Sequence, residues 1–326
     1  MQESELNVIE ETYLAIKEMK VRGAGRIARV AVKALDDYVS EVRADNPKEL
    51  YETLLEASAR LKSSRPTAVS LPNALNYVVN AAKKAVDRKE DVESVKKAVR
   101  EAALWFIKMS EGAIERIGEI GGKRIVDGDV VLTHCNSEAA ISVLSKAHRQ
   151  GKRIEVLVTE TRPLMQGRMT ASILSRRGLD VTLIPDSAVR LYMHKVDKVV
   201  VGADAIASNG AVVNKIGTSQ IALIAHESRT RFYVAAETYK LSPTTMLGEL
   251  VEIEQRSPLE VVPSSWKKKN RNVKVMNPAF DVTPPEYIDI IITEQGVYPP
   301  QGIILLMKEM YPEPMVAWSV GEASLS

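Results

Sequence analysis

Short runs of Val, Leu and Ile alternate with segments of helical spacing from Asp129 onwards. Continuous apolar runs of this kind are typical of strands that are covered on both faces. Their alternation with helices predicts an α/β fold with a parallel, doubly wound sheet of the Rossmann-like type and helices on both faces. The predicted strands are Val130–Thr133, Ile154–Thr159, Val181–Ile184, Lys198–Gly202, Arg231–Ala235 and Ile288–Thr293.

The part of the chain before these runs has a helical pattern throughout. Asn46 and Pro47 are a typical N-cap and first residue of a helix. Glycines at positions 118, 121 and 122 mark the change of pattern. The sequence therefore predicts a helical N-terminal domain over residues 1–122 and a Rossmann-like domain over residues 123–326. Apolar side chains recur at helical spacing in the first of these domains, as at Leu6, Ile9, Tyr13 and Ile16.

Charge and composition exclude several classes of partner. The 44 basic and 42 acidic residues give a formal net charge of +2, which provides no basic field for nucleic acid. No apolar run approaches the roughly 20 residues of a membrane-spanning helix, and the first residues lack the pattern of a signal peptide. We therefore expect a cytoplasmic protein with neither a membrane nor a nucleic-acid partner.

The sequence contains no motif for a cofactor or a metal ion. No Gly-x-Gly-x-x-Gly follows the first predicted strand, and no P-loop occurs anywhere in the chain. The four histidines are scattered and the cysteine is single, so no spacing suits zinc. The sequence therefore predicts neither a bound cofactor nor a bound metal ion.

Reactive and charged side chains follow the predicted strands, at the edge where such sheets bind ligands. Cys135, the single cysteine, lies between the first strand and a predicted helix. A thiol at a helix N-terminus should ionise more readily than a free cysteine, although free cysteines are also common as small core residues. The convergence of several strand ends favours a functional Cys135. The other ends carry Arg162, Asp186, Asp204, Glu237 and Glu294.

Asp204 follows an apolar strand end, Val200-Val201-Gly202-Ala203. Burial there would favour the protonated carboxyl, which is the form that a general acid needs. The alternative is a structural carboxylate that caps a helix or forms a salt bridge. A thiolate base opposite a protonated carboxyl would suit proton transfer between adjacent carbons of a sugar.

Several basic segments indicate an anionic, phosphorylated substrate. Arg22-Gly23-Ala24-Gly25 places small residues at a helix start, where backbone N–H groups can approach a phosphate, although such glycines are often only a turn. Arg65 precedes a proline and can bind phosphate through two N–H groups. Lys215 and Lys240 lie near the sheet edge, where a lone lysine is usually solvated.

Five segments, spread over nearly the whole chain, carry a resemblance to one superfamily. They are Thr133-His134-Cys135-Asn136-Ser137, Gly202-Ala203-Asp204, Asn214-Lys215-Ile216-Gly217-Thr218, Ala235–Lys240 and Asn277–Pro285. They resemble the superfamily that joins the regulatory subunits of eukaryotic translation initiation factor 2B to sugar 1-phosphate isomerases. Within it, the chain looks like the archaeal ribose-1,5-bisphosphate isomerases of AMP degradation. Methylthioribose-1-phosphate isomerases have Arg-Gly-Ala-Pro in place of Arg22-Gly23-Ala24-Gly25, and translation-factor subunits generally lack the Cys and Asp pair.

The resemblance implies an isomerase that opens the sugar ring and needs no cofactor. It implies that Cys135 is the base that takes the C2 proton and that Asp204 is the acid. It also implies a homo-oligomer, either a dimer or a hexamer of dimers, and AMP as a candidate activator. A methylthioribose-1-phosphate isomerase and a non-catalytic regulatory subunit are the alternatives. The implied substrate-binding residues are Arg22, Gly23, Ala24, Gly25, Arg65, Ser137, Glu138, Ala139, Asn214, Lys215 and Lys240.

Overall fold

The computed structural model describes residues 2–21, 23–65 and 68–310, with the backbone alone for residues 2–7. The chain divides into two compact units, Met1–Ala113 and Ile114–Ser326. Each unit is described by itself below.

The first unit consists of helices, as the apolar spacing predicts. The capping pattern is also confirmed, because the Asn46 side chain accepts a 3.0 Å hydrogen bond from the Glu49 N–H and Pro47 is the first helical residue. The buried faces are lined by aliphatic side chains such as Leu35, Leu54 and Leu75. The helices are α1 Gln2–Lys17, α2 Ala24–Glu41, α3 Pro47–Lys62, α4 Ser70–Asp87 and α5 Val92–Gly122, the last of which continues into the second unit.

The second unit contains the predicted sheet. All six predicted strands are present, with ends that differ from the prediction by two residues or fewer. The strands are β1 Val130–Thr133, β2 Glu155–Thr159, β3 Asp180–Ile184, β4 Lys198–Val201, β5 Ala205–Ile206, β6 Val212–Lys215, β7 Arg231–Ala235, β8 Phe280–Thr283, β9 Ile290–Thr293 and β10 Gly296–Tyr298. The α-helices are α6 Glu138–Arg149, α7 Gln166–Arg176, α8 Val189–Tyr192, α9 Thr218–Glu227, α10 Ser264–Lys269 and α11 Ile303–Met310.

Three glycines that the sequence places at a change of pattern lie inside helix α5. A Cβ atom at Gly118 would lie 2.2 Å from Ser142 Oγ, and one at Gly121 would lie 2.5 Å from a methyl carbon of Val143. Ser142 and Val143 belong to α6. The glycines therefore allow α5 and α6 to approach closely, which offsets the roughly 1 kcal/mol that glycine costs inside a helix.

Seven of the described strands form one sheet, in the order β10-β9-β7-β4-β1-β2-β3. All neighbours are parallel except β10 and β9. The chain builds outwards from β1 to β2 and β3, and then returns to place β4 on the other side of β1. This reversal creates the crevice in which doubly wound sheets bind ligands, between the ends of β1 and β4.

The core has one layer on each face of this sheet. Val199 and Val201 of β4 pack into one apolar cluster, and Val200 between them packs into the other. Both faces are buried, which explains the continuous apolar runs in the sequence. Among the described helices, none is long and apolar enough to cross a membrane.

A second, antiparallel sheet of the order β5-β6-β8 was not predicted. It begins directly after Asp204, whose N–H donates a 2.9 Å hydrogen bond to the carbonyl of Val213 in β6. Asn214 and Lys215 therefore lie in a strand rather than in a loop.

Candidate active site

Cys135 lies at the tip of β1 in a backbone conformation that only a few non-glycine residues adopt. Its φ angle is +66°, in the left-handed region. Its N–H donates to Thr161 Oγ1 at 2.9 Å, and its carbonyl accepts from Thr170 Oγ1 at 2.7 Å. Two threonines thus hold the peptide groups on both sides of the cysteine.

His134, the residue before the cysteine, connects three strand ends. It is 1% exposed, and burial lowers its pKa to about 4, so the ring is neutral at pH 7. Its Nε2 lies 2.9 Å from the carbonyl of Ile216, which can only accept, so Nε2 carries the proton. Nδ1 then accepts from the hydroxyl of Thr159 at 2.6 Å. The ring thereby ties the ends of β1 and β2 to the turn after β6.

Thr161 is itself held by a carboxylate. Its φ angle is +61°, and its N–H donates to Asp186 Oδ1 at 2.8 Å, while the N–H of Arg162 donates to Oδ2 at 2.7 Å. Asp186 follows β3. The predicted convergence of the ends of β1, β2 and β3 on Cys135 is therefore confirmed.

The expected ease of ionisation of Cys135 is wrong. Burial raises the pKa of the thiol to about 11, and the charge of Asp204 also acts to raise it. Lys215 and Arg256 act in the opposite direction but do not outweigh the loss of water.

Asp204 is brought to the same edge as Cys135 by the pairing of β4 with β1. Its side chain is half-buried, and its charge acts on the thiol. The close approach of the end of β4 to the start of α6 depends on Gly202, where a Cβ atom would lie 2.3 Å from Ser137 Oγ.

Ser137, Glu138 and Ala139 form the start of α6. Ser137 is its N-cap and accepts a 3.2 Å hydrogen bond from the Ala140 N–H. Glu138 is exposed and Ala139 is buried. The first turn of α6 therefore lies beside the residue pair Cys135 and Asp204.

Asn214 and Lys215 are both buried at the end of β6. Asn214 Nδ2 donates to Thr218 Oγ1 at 3.0 Å. Lys215 is 6% exposed, its Nζ donates to the Ala279 carbonyl at 2.9 Å, and it lies 4.7 Å from the centre of the Phe280 ring. The positive charge of Lys215 acts on the Cys135 thiol, as does the charge of Asp204, so the three residues belong to one region of the structure.

Lys240 forms a buried ion pair rather than a solvated charge. Its Nζ lies 2.7 Å from Glu237 Oε2, and the Tyr239 hydroxyl donates to Glu237 Oε1 at 2.9 Å. Burial acts to raise the pKa of Glu237, but the charge and hydrogen bond of Lys240 outweigh it, so the pKa is lowered. The backbone after Lys240 pairs with β5, since Ser242 N–H donates to the Ile206 carbonyl at 2.8 Å.

The remaining predicted residues belong to the first unit. Gly23 precedes α2 with a φ angle of +89°, and Ala24 and Gly25 form the first turn of that helix. Arg65 is half-buried, with Nη1 3.8 Å from Met19 Sδ. Arg22 lies outside the described residues.

The sequence did not indicate Asp281 or Arg256 as part of this region. Asp281 of β8 accepts the N–H groups of Gly217 and Ser219 at 2.7 and 3.1 Å, and burial raises its pKa to about 6. Asp281 lies within the segment Asn277–Pro285 that carries the resemblance, whereas Arg256 lies outside every such segment and far along the chain from the thiol. Among the described residues, no group of three or more His, Cys, Asp or Glu side chains could hold a metal ion.

Known proteins match this chain over most of its length. A family model described as the initiation factor 2 subunit family matches residues 20–300. The ribose 1,5-bisphosphate isomerase of Pyrococcus furiosus is 55% identical over 300 residues, which cover 91% of this chain and 92% of that protein. The corresponding protein of Methanocaldococcus jannaschii is 53% identical, with 94% and 97% covered.

Proteins with other names match less closely. The methylthioribose-1-phosphate isomerase of Acetivibrio thermocellus is 39% identical, with 91% of this chain and 90% of that protein covered. The crystal structure of a Pyrococcus horikoshii translation initiation factor eIF-2B superposes with a TM-score of 0.78 at 29% identity, covering 91% of this chain and 98% of that one. The match confirms the predicted α/β fold.

Proposed function

The chain belongs to the initiation factor 2 subunit family, and we propose that within it the chain converts ribose 1,5-bisphosphate into ribulose 1,5-bisphosphate. The similarity to named isomerases makes it an enzyme that acts on a sugar phosphate. The observation that carries the proposal is the pair Cys135 and Asp204, which follow adjacent strands at the point where the sheet reverses, with the charge of Asp204 acting on the thiol.

Asp204 would start the reaction by opening the ring. It donates a proton to the ring oxygen as the bond from C1 to that oxygen breaks, and the phosphate ester oxygen on C1 shares the resulting positive charge. The C2 hydrogen then becomes acidic, and the Cys135 thiolate removes it to give an enol phosphate. Cys135 returns a proton to C1 while the carboxylate of Asp204 takes the proton of the C2 hydroxyl. The product is the ketose, and both residues regain their starting forms.

The reactive state requires a proton to move before the sugar reacts. Burial keeps Cys135 as a thiol at neutral pH, whereas the mechanism needs a thiolate and a carboxyl. We infer that one proton is shared by the pair and that the reactive form carries it on Asp204. The positive charges of Lys215 and Arg256 favour this form because both stabilise the thiolate.

The substrate's phosphates would bind to the basic residues and to backbone N–H groups. The first turn of α6, from Ser137 to Ala139, lies at a helix N-terminus, where backbone N–H groups and the helix dipole favour an anion. Asn214 and Lys215 of β6 and Lys240 after β7 would provide further contacts. The segment from Arg22 to Gly25 and Arg65 complete the proposed set.

Two alternatives remain in competition with this proposal. A methylthioribose-1-phosphate isomerase would use the same pair of residues on a substrate with one phosphate, and a regulatory subunit of the initiation factor 2B type would not catalyse at all. The number of phosphates that the substrate carries separates the two enzymes. Turnover of either sugar separates both from the regulatory subunit.

The decisive experiment uses the pure full-length chain in D2O with each sugar phosphate in turn. Proton and phosphorus NMR should show ribose 1,5-bisphosphate converted into ribulose 1,5-bisphosphate, with deuterium at C1 to the extent that the thiol exchanges with solvent. Cys135→Ser should lose roughly 10²- to 10⁴-fold in rate, because a hydroxyl is a far weaker base. Faster turnover of methylthioribose 1-phosphate would favour the second enzyme, and no turnover of either would favour the regulatory subunit.

The expected partners are also part of the proposal. We expect a homo-oligomer, either a dimer or a hexamer of dimers, which light scattering would measure. We also expect AMP to activate the isomerase, and an assay with and without AMP would test this. A cytoplasmic location remains a prediction.

A further inference from the structure

Arg256 lies outside every motif in the sequence, yet long-range pairing fixes its place. Its N–H donates to the Asn277 carbonyl at 2.9 Å, and the N–H of Ala279 donates to the Glu254 carbonyl at 2.8 Å. Residues 254–256 therefore run beside residues 277–279, which lead directly into β8. Arg256 is held next to the small sheet by backbone bonds rather than by its own side chain.

The Arg256 side chain is mostly buried, but its Nη groups are open to solvent. The side chain is 7% exposed, and Nε donates to Glu254 Oε1 at 2.9 Å. Within the described residues, Nη1 and Nη2 donate to no protein atom, and neither is among the buried atoms that lack a partner. A guanidinium has five N–H donors, so most of its donors are available. The Nη edge can therefore take an acceptor from outside the protein.

The position of this edge points to the reactive thiol. Arg256 Cζ lies 6.0 Å from the centre of the Phe280 ring, and Lys215 Nζ lies 4.7 Å from the same centre. Lys215 is followed by Ile216, whose carbonyl holds His134 beside Cys135. The charges of both basic residues also act on the Cys135 thiol. Arg256 thus borders the site from the side of the small sheet.

The geometry of the Arg256 Nη1 and Nη2 groups indicates which kind of ligand they would bind. Nη1 and Nη2 form a planar fork that matches two oxygens of a phosphoryl group or carboxylate. Glu254 occupies only the Nε side, so the fork is not neutralised by a second acid at its open edge. A tetrahedral oxyanion bound there would lie within reach of the positive charge of Lys215 as well.

We propose that Arg256 is a further substrate-binding residue, whose Nη1 and Nη2 donate to two phosphoryl oxygens of the sugar phosphate. The identity of the substrate rests on the proposed function, whereas the affinity of the fork for a phosphoryl group does not. The residue would orient the substrate on the side of the small sheet.

The test uses protection of Cys135 from alkylation by iodoacetamide, with inorganic phosphate and ribose 1,5-bisphosphate as probes. Both should slow alkylation of the full-length protein. In Arg256→Met, the half-protecting concentration of each should rise on the order of tenfold to a hundredfold, because a charged, bidentate contact is lost. Arg168→Met is the matched control, since Arg168 is exposed and pairs with Glu160, and it should behave as the wild type.

Arg256→Lys is a second variant, which keeps the proposal testable if Arg256→Met does not fold. It keeps the charge and removes the fork, so it should bind phosphate more weakly than the wild type and melt at a similar temperature. Equal protection constants in the wild type and in either Arg256 variant would overturn the proposal. So would a wild type that neither probe protects.

The same assay separates this proposal from the proposed function. Protection needs no turnover, so a protein without isomerase activity whose phosphate protection depends on Arg256 would retain the inference and reject the function. An active isomerase whose Arg256→Met variant has an unchanged KM and unchanged protection would do the reverse.

Discussion

The N–H of Cys135 donates a 2.9 Å hydrogen bond to Thr161 Oγ1, and both residues have left-handed backbones, with φ angles of +66° and +61°. Such conformations cost about 1–2 kcal/mol for a residue with a side chain. Cys135 is held by a hydrogen bond from Thr170 of helix α7, and Thr161 is held by one to Asp186, which follows β3. The orientation of the thiol therefore depends on side chains that need not contact the substrate.

Thr161→Val should impair catalysis more than binding. Valine has the shape of threonine but cannot accept the Cys135 N–H, so a buried donor loses its partner at a cost of about 1–3 kcal/mol. We expect kcat to fall by roughly tenfold or more with little change in KM, whereas Thr161→Ser should keep most of the activity. Steady-state kinetics measure both, and a valine variant with the kcat of the wild type would show that the bond does not position the base.

The reactivity of Cys135 should report its raised pKa. With a pKa of about 11, only about one thiol in 10⁴ is ionised at pH 7, and alkylation should quicken about tenfold per pH unit up to pH 10. Asp204→Asn removes a negative charge and should move this profile to lower pH. Lys215→Met removes a positive charge and should move it to higher pH. A profile that levels off near pH 7 in the wild type would contradict the effect of burial.

Asp204→Asn should also trap the substrate before its ring opens. Asparagine has nearly the size of aspartate but has no acidic proton to give to the ring oxygen. A crystal of this variant soaked with ribose 1,5-bisphosphate should show an intact ring with C2 facing Cys135. An open chain in that crystal would place the acid elsewhere.

Gly202→Ala should disturb the site through Ser137. The added methyl would lie 2.3 Å from Ser137 Oγ and 2.5 Å from its Cβ, so the start of α6 must move. Overpacking of this kind typically costs about 1–3 kcal/mol, and activity should fall with it. Gly112→Ala is the control, because nothing lies within 4 Å of the added methyl. Thermal unfolding should show the control as stable as the wild type or more so.

Lys240→Met should destabilise the protein through Glu237. The variant leaves a buried carboxylate without its counter-charge, which typically costs about 3–5 kcal/mol. The pKa of Glu237 should rise once Lys240 is gone, so the loss should be largest at neutral pH and shrink as the pH falls and Glu237 is protonated. Denaturant unfolding at several pH values measures this. The double variant Glu237→Gln with Lys240→Met should recover much of the stability, and no recovery would contradict the assignment to an isolated charge.

The large sheet could be predicted because most of its parallel strands are short, continuous apolar runs. The small sheet could not, since β5 has two residues and β6 and β8 mix apolar with polar side chains. The pairing of Lys215 with Phe280 joins residues far apart in the chain, and no local spacing encodes it. Strand propensity and apolar periodicity therefore predict the large sheet of this unit. They do not predict the small sheet, which is built from long-range pairs.

The site was predictable to the same extent. Cys135 and Asp204 follow clear strands, so the topology of the sheet alone places them together. The ionisation of the thiol was predicted in the wrong direction, because burial depends on the packing of strand ends that the sequence does not reveal. Arg256 was not predicted for the same reason as β8, because its position depends on pairing between residues far apart in the chain.

Different sheets carry the two tasks of this site. Cys135 and Asp204, which would exchange protons, follow strands of the large sheet, whereas Lys215 and Arg256 are attached to the small one. Substitutions on the small sheet should therefore change charge recognition, and with it the pKa of the Cys135 thiol, while both reacting residues stay on the strands of the large sheet. A graft that exchanges residues 205–215 together with 254–283 would alter which anions are accepted and leave the reacting pair on its original scaffold.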